Sequence, residues 1–291
     1  QYLFDGGEHF DNGNVYFTVA TGFLSGGMSE SLDFITGQIA EYKPEQATNY
    51  EIGVKADALD STLRLNTAMF YTQYDDRQLT GIGVNPTNGT ISSVTNNAAK
   101  SSITGLEIEA LWLPVANLDI TFNATFNHGD IEEFDDLTVA VAGELPADSC
   151  TAVTIGPGRV VDGCEVDRSD EDLPGLPKQT YYAAVQYLWD TPYGGITPRV
   201  DVTYKKDINA CFDYASCLWL DGKGMEYDFY SLNARLTWRS QDERFRVTAY
   251  GNNLTDNQSA SSSLPLIGST QSRAVGWSDP FTYGVELAYT W

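Results

Sequence analysis

Residues 49–76 read NYEIGVKADALDSTLRLNTAMFYTQYDD, and the recurrence of apolar side chains in this stretch decides the fold. In the first arm Tyr50, Ile52, Val54, Ala56 and Ala58 share one parity, while Glu51, Gly53, Lys55 and Asp57 share the other. In the second arm Leu63, Leu65, Thr67, Met69 and Tyr71 alternate with Arg64, Asn66, Ala68, Phe70 and Thr72. A period of two sends successive side chains to opposite faces of a strand. Asp60 and Ser61 supply turn chemistry between the arms, so the stretch is a hairpin. Each arm outlasts the five or six residues usual for a globular strand. A strand of about 9–11 residues with one apolar and one charged face suits a transmembrane barrel, whose outside meets lipid and whose lumen is wet.

Working outward, the same pattern recurs along the chain. Strands are predicted at NVYFTVATGFL (14–24), SSITGLEIEALWL (101–113), from NLDITFNATFNHGD (117–130), QTYYAAVQYLW (179–189), ITPRVDVTYKKDI (196–208), FYSLNARLTWRS (229–240), RFRVTAYGNNL (244–254) and FTYGVELAYTW (281–291). With the opening hairpin that makes about ten, the whole of 1–291 forming one all-β antiparallel unit. Gly105 is expected to mark an irregularity in its strand. Turns at 60–61, 114–116, 190–195 (Gly194-Gly195) and 240–243 are short, whereas 25–46, 130–177, 208–227 and 255–280 are long. Bacterial outer-membrane barrels alternate in this way, with tight periplasmic turns and extended extracellular loops. Trp112, Trp189 and Trp238 all stand beside short turns, where an interfacial aromatic girdle belongs.

The composition agrees. No stretch of about 18 apolar residues exists to form a transmembrane helix, and 17 Tyr, 6 Trp and 26 Gly accompany a formal net charge of -23. That charge argues against a nucleic-acid partner, because phosphate binding relies on Lys and Arg. The chain starts at Gln1 without a basic-then-apolar leader, as expected if a leader has been removed or the chain is the later part of a longer polypeptide.

Four cysteines fall in two close pairs, Cys150 with Cys164 and Cys211 with Cys217, each read as lying in a polar loop and none in a strand. The spacing points to two local disulfides and an oxidising compartment, not to a thiolate metal site. The acids Asp130, Glu132, Glu133, Asp135 and Asp136, with Asp167, Asp170, Glu171 and Asp172, lack the glycine-punctuated spacing of a helix-loop-helix calcium site and read as a hydrated surface. No metal or cofactor site is expected. Ligand contacts are expected from loop aromatics, namely Phe212, Tyr214, Trp219 and Tyr227 near the second cysteine pair, and Trp277 in the last loop. The lumenal charges Glu51, Lys55, Arg64, Glu107, Glu109, Arg199, Asp201, Arg235, Arg239 and Glu286 include both signs. No catalytic group is identified: His128 beside Asp130 is a lone acid–histidine pair, and neither a Gly-x-Ser-x-Gly elbow nor a phosphate loop occurs.

The stretch YKPEQATNYEIGVKADALDSTLRLNTAMFYTQYDDRQ resembles the signature of the TonB-dependent outer-membrane receptors, in which a Pro-Glu pair precedes a "YE-G-K" strand and a hairpin with an aromatic "FY" pair follows. NNAAKSSITGLEIEALW is similar to that family's next strand, RFRVTAYGNNLTDN to its penultimate one, and the segment ending at Trp291 to its last. GFLSGG, residues 22–27, resembles another recurrent piece. The resemblance implies an active transporter in the outer membrane of a Gram-negative bacterium, taking up a scarce nutrient such as a ferric siderophore, cobalamin or an oligosaccharide. It implies a 22-stranded barrel filled by an N-terminal plug that couples to the TonB complex, with lipid and lipopolysaccharide outside. Ten strands cannot enclose a plug-sized lumen, so the chain is expected to be the C-terminal part of such a barrel without its plug. The alternatives are an autonomous porin or autotransporter-type barrel and a barrel protease.

Overall fold

The computed structural model describes residues 2–5, 7, 10–32, 39–84, 91–97, 100–133, 135–140, 150–155, 159–167, 169, 172–173, 175–209, 226–266 and 272–291. The chain opens with β1 (Tyr2–Asp5) and β2 (Asn12–Leu24), then a small hairpin of β3 (Gly27–Leu32) and β4 (Ile39–Tyr42). It returns through β5 (Glu45–Ala58) and β6 (Leu63–Asp75), and the hairpin β7 (Gln78–Val84) and β8 (Ile91–Asn97) leads to β9 (Lys100–Trp112) and β10 (Leu118–Glu133). A separate three-stranded sheet of β11 (Asp135–Ala140), β12 (Cys150–Ile155) and β13 (Arg159–Asp167) follows. Next come β14 (Gln179–Tyr187), the short β15 (Trp189–Thr191), β16 (Gly194–Asn209), β17 (Glu226–Arg239) and β18 (Phe245–Asn252). The hairpin β19 (Ala260–Leu266) and β20 (Ser272–Trp277) precedes β21 (Thr282–Tyr289).

Twelve of these strands form one antiparallel sheet in the order β1-β2-β5-β6-β9-β10-β14-β16-β17-β18-β21, with β15 beside β16. All ten predicted strands are in it, each paired with its sequence neighbour once the outer hairpins are skipped. The sheet's ends are β1 and β21, and among the described residues it does not close on itself.

Parity sorts the two faces. Phe17, Ile52, Met69, Phe122, Val200, Leu236, Val285 and Leu287 project from one face and are all more than a third exposed, Leu287 by 75%. Among the described residues seven apolar side chains are buried, and four of them are the alanines Ala56, Ala58, Ala124 and Ala184. A protein in water would hide the first set; here the apolar surface is the outside, and the backbone is satisfied by the ladders. Trp112, Trp189 and Trp238 lie on this face beside the short turns, joined there by Tyr187 stacked edge-on against Trp189 at 5.4 Å and by Phe245 against Tyr289 at 4.8 Å. The predicted girdle is present at the end of the sheet that carries the short turns.

Several expectations need correction. Gly105 causes no break: the register with β6 and β10 runs straight through it, and the nearby register shift lies between Ile131 and Glu133. Gly105 is there because the ring of Phe70, its direct cross-strand partner, lies where a Cβ would stand, 2.4 Å away. The pairs Phe4–Gly13, Tyr16–Gly53 and Tyr250–Gly284 repeat the arrangement. Gly194 and Gly195 begin β16, and the turn before them is Pro192–Tyr193. Gly194 has φ +119° and packs against the Arg239 carbonyl, two reasons for having no side chain. Cys150 and Cys164 are in strands, not in loop, because the long connection after β10 builds its own sheet. The connections 25–46 and 255–280 likewise carry hairpins.

At this looped end, two connections are clipped together. Gln78 Nε2 donates to the Ser25 and Lys43 carbonyls at 3.0 Å each. Asn97 Nδ2 donates to the Lys43 and Asp76 carbonyls at 2.9 and 2.7 Å. Near the other edge, buried Asn253, at φ +48°, donates to the Asn257 and Asp279 carbonyls at 2.9 Å each. The NNLTDN segment is therefore the knot from which the β19–β20 hairpin rises.

Candidate functional site: the polar face of the wall

The face opposite the apolar side chains is a continuous polar surface, because every second residue of each long strand points to it. On its β2–β10 part Tyr16 Oη donates to Glu51 Oε1 at 2.7 Å, and the Lys55 ammonium lies 5.6 Å from the centroid of the Tyr16 ring. Thr72 Oγ1 donates to Asn49 Oδ1 at 2.8 Å, Asn66 Nδ2 to Glu109 Oε2 at 3.1 Å, and Arg64 Nε to Asp57 Oδ1 at 2.8 Å.

On the β14–β18 part a cavity of about 900 Å³ opens at the short-turn end, lined among others by Tyr182, Gln186, Arg199, Asp201, Arg235 and Arg239. Arg199 is held from three sides. It donates to Tyr182 Oη at 2.6 Å and Gln186 Oε1 at 3.0 Å, and its Nε lies 3.5 Å from Asp201 Oδ1. Gln186 donates onward to Asp119 at 2.6 Å, and Asn233 donates to Asp201 at 2.8 Å. At the far strand Arg246 pairs with Glu286 at 3.0 Å. In the β17–β18 turn, the Ser240 hydroxyl donates to Asp242 at 2.6 Å and the Arg244 amide at 3.3 Å, holding that carboxyl below its ordinary range. Such a surface presents hydrogen-bond donors, acceptors and charges of both signs.

Of the loop aromatics, Phe212, Tyr214 and Trp219 lie outside the described residues, as do Cys211 and Cys217. Tyr227 is half-buried at the start of β17, and Trp277 is 61% exposed at the end of β20. The two elements are tied by Ser259, whose hydroxyl donates to the Asp228 carbonyl at 3.3 Å and whose carbonyl accepts from the Ser278 amide at 2.9 Å. Cys150 and Cys164 are direct register partners. His128 Nε2 lies 3.3 Å from Asp130 Oδ1, an exposed pair of the same parity as Phe126 and so not on the polar face. Of the acidic loop, Asp135 lies opposite Asp167, and no three His, Cys, Asp or Glu side chains converge among the described residues. Sequence reasoning assigned Arg199, Arg235 and Arg239 to the lumen but did not group them, since which of them face each other depends on register.

A family model described as "TonB dependent receptor-like, beta-barrel" matches residues 7–254. The pesticin receptor of Yersinia pestis is 25% identical over 256 residues, covering 85% of this chain and 30% of that protein. The probable TonB-dependent siderophore receptor PiuA of Acinetobacter baumannii is 30% identical over 102 residues, 34% of this chain and 12% of that one. Among solved structures, the ferric yersiniabactin uptake receptor FyuA from Yersinia pestis matches with a TM-score of 0.65 at 19% identity, over 99% of this chain and 36% of that chain. The last likeness shows the fold, and the chain spans about 30% of the curated pesticin receptor. The open sheet is accordingly part of a larger barrel, its polar face the lumen wall and its apolar face the surface against outer-membrane lipid. Family and fold are those of transport receptors and not of enzymes, and this chain belongs to the TonB-dependent receptor β-barrel family.

Proposed function

We propose that the chain forms part of an outer-membrane receptor that takes up a ferric siderophore with energy from the TonB complex. The observation that carries this reading is the family match over residues 7–254, joined to a curated relative whose name is that of a siderophore receptor. In this reading the short turns face the periplasm. The connections 25–46, 130–177, 208–227 and 255–280 face the outside, where lipopolysaccharide surrounds them, and the TonB complex acts through a plug that lies outside residues 1–291. The ligand is met first by loop aromatics. Tyr227 and Trp277 support that role because Ser259 anchors their two elements to one another, and Phe212, Tyr214 and Trp219 lie in the connection leading to Tyr227. Cobalamin and oligosaccharides are the competing cargoes.

The test is uptake by cells carrying the full-length receptor as their single route for each solute. Radio-iron delivered as ferric siderophore enters cells with the receptor and TonB, and not cells lacking either. Trp219→Ala and Trp277→Ala each reduce uptake while the barrel still assembles. Iron entry that is indifferent to the receptor, with cobalamin or oligosaccharide entry that depends on it, overturns the siderophore assignment.

A further inference from the structure

Two register positions on the polar face set like charges against each other. Arg199 on β16 lies directly opposite Arg235 on β17, and Arg239 on β17 directly opposite Arg246 on β18. Residues so placed have Cβ atoms about 4.5–5.5 Å apart, and like charges at that spacing destabilise the strand pairing. One member of each pair is compensated from within the wall, Arg199 by Tyr182, Gln186 and Asp201, and Arg246 by Glu286. The other member is not. Arg235 and Arg239 form no ion pair and no side-chain hydrogen bond among the described residues, in a chain that carries 40 acidic residues against 17 basic ones.

Nearby acids do not fill the gap. Asp201 is engaged by Arg199 and Asn233, Asp190 accepts from Asn117 at 3.4 Å, and Glu243, which lines the same cavity from the β17–β18 turn, forms no ion pair with either guanidinium. Both arginines line the 900 Å³ cavity. They are four positions apart on one strand, so their Cα atoms stand roughly 13 Å apart at the strand rise of about 3.3 Å per residue. A guanidinium fork takes a carboxylate through two parallel N–H···O bonds.

We propose that Arg235 and Arg239 are a carboxylate-binding site at the short-turn end of the lumen wall, taking an occupant with two carboxylates spaced along the strand direction. Its negative charge stands between the facing arginines and turns both repulsive pairs into bridged ones. Acidic side chains of a polypeptide segment lying on this wall and a soluble polycarboxylate supply the same chemistry. The site stands whatever solute the receptor transports, since it is argued from the wall's own register.

The experiment compares thermal unfolding of the full-length receptor in detergent with that of R235Q/R239Q and R235K/R239K, each with and without citrate, after confirming barrel assembly by heat-modifiable migration. If a segment of the protein supplies the carboxylates, the glutamine variant melts on the order of 2–4 °C lower without citrate, and citrate changes neither protein. If the occupant is soluble, citrate raises the melting temperature of the parent and not of the glutamine variant. The lysine variant, which keeps charge but lacks the fork, falls between the two. If the double glutamine variant does not assemble, R235Q and R239Q singly show the same direction with smaller shifts. The proposal is overturned if no condition makes the parent more stable than the glutamine variants, which is what relief of arginine–arginine repulsion at an unoccupied site gives.

Discussion

Replacing Gly105 with alanine puts a methyl group where the Phe70 ring already is. A Cβ at Gly105 stands 2.4 and 2.5 Å from two ring carbons and 2.9 Å from Asn127 Oδ1. Ordinary carbon contact begins near 3.5 Å, so the ring has to retreat by about 1 Å or leave its rotamer. Overpacking of this kind costs about 1–3 kcal/mol. Phe70→Ala removes the obstacle, so the two substitutions together should cost less than their sum, with a coupling of about 0.5–3 kcal/mol. Gly22 is the control, because it lies in β2 with nothing within 4 Å of its Cβ position. Gly22→Ala is expected to be neutral or stabilising by up to about 1 kcal/mol, through the lower entropy of the unfolded chain. The assay is urea unfolding of the full-length receptor refolded into lipid vesicles, followed by tryptophan fluorescence. A Gly105→Ala protein as stable as Gly22→Ala, or strict additivity with Phe70→Ala, would refute the claim that the glycine exists to seat the ring.

Gly194→Ala should destabilise the same protein by at least about 1–3 kcal/mol, because its backbone lies at φ +119° and its Cβ would meet the Arg239 carbonyl; urea unfolding checks it, and Gly195→Ala should be milder. The Asp242 carboxyl is held low first by Ser240 and then by the Arg244 amide. Its contribution to the turn is therefore complete above the ordinary carboxylate range near pH 4 and is lost as pH falls through the lowered value; carbon-detected NMR titration of Ser240→Ala should show it titrating at higher pH than in the parent. Opposite residues in an antiparallel pair have Cα atoms about 4.5–5.5 Å apart, within disulfide range, so Cys150 and Cys164 should be found oxidised together. Peptide mapping without reduction should join those two and not mix them with Cys211 or Cys217, and Cys150→Ser should cost up to about 3 kcal/mol for a loop of this length.

The alternation in Tyr50 to Ala58 and in Leu118 to Phe126 is local information: neighbouring side chains on a strand point to opposite faces whatever the strand pairs with. Strand positions and the lipid-facing set follow from it, and the lengths of the connections gather the short turns, with Trp112, Trp189 and Trp238 beside them, at one end; all of this was legible in the sequence. Register is not local, because it is fixed by which residue of one strand meets which residue of the next. Gly105 looked like a break until Phe70 was found across from it, and Cys150 and Cys164 looked like loop residues until β12 and β13 paired. The facing arginines at 199 and 235, and at 239 and 246, are 36 and 7 positions apart in the chain, and only the pairing of β16 with β17 and of β17 with β18 brings them together. The sequence by itself determined what each strand shows to lipid and to the lumen. Tertiary structure alone decided which lumenal groups compensate one another and that Arg235 and Arg239 face other arginines without an acidic partner among the described residues, because charge balance depends on distance in space and alternation does not.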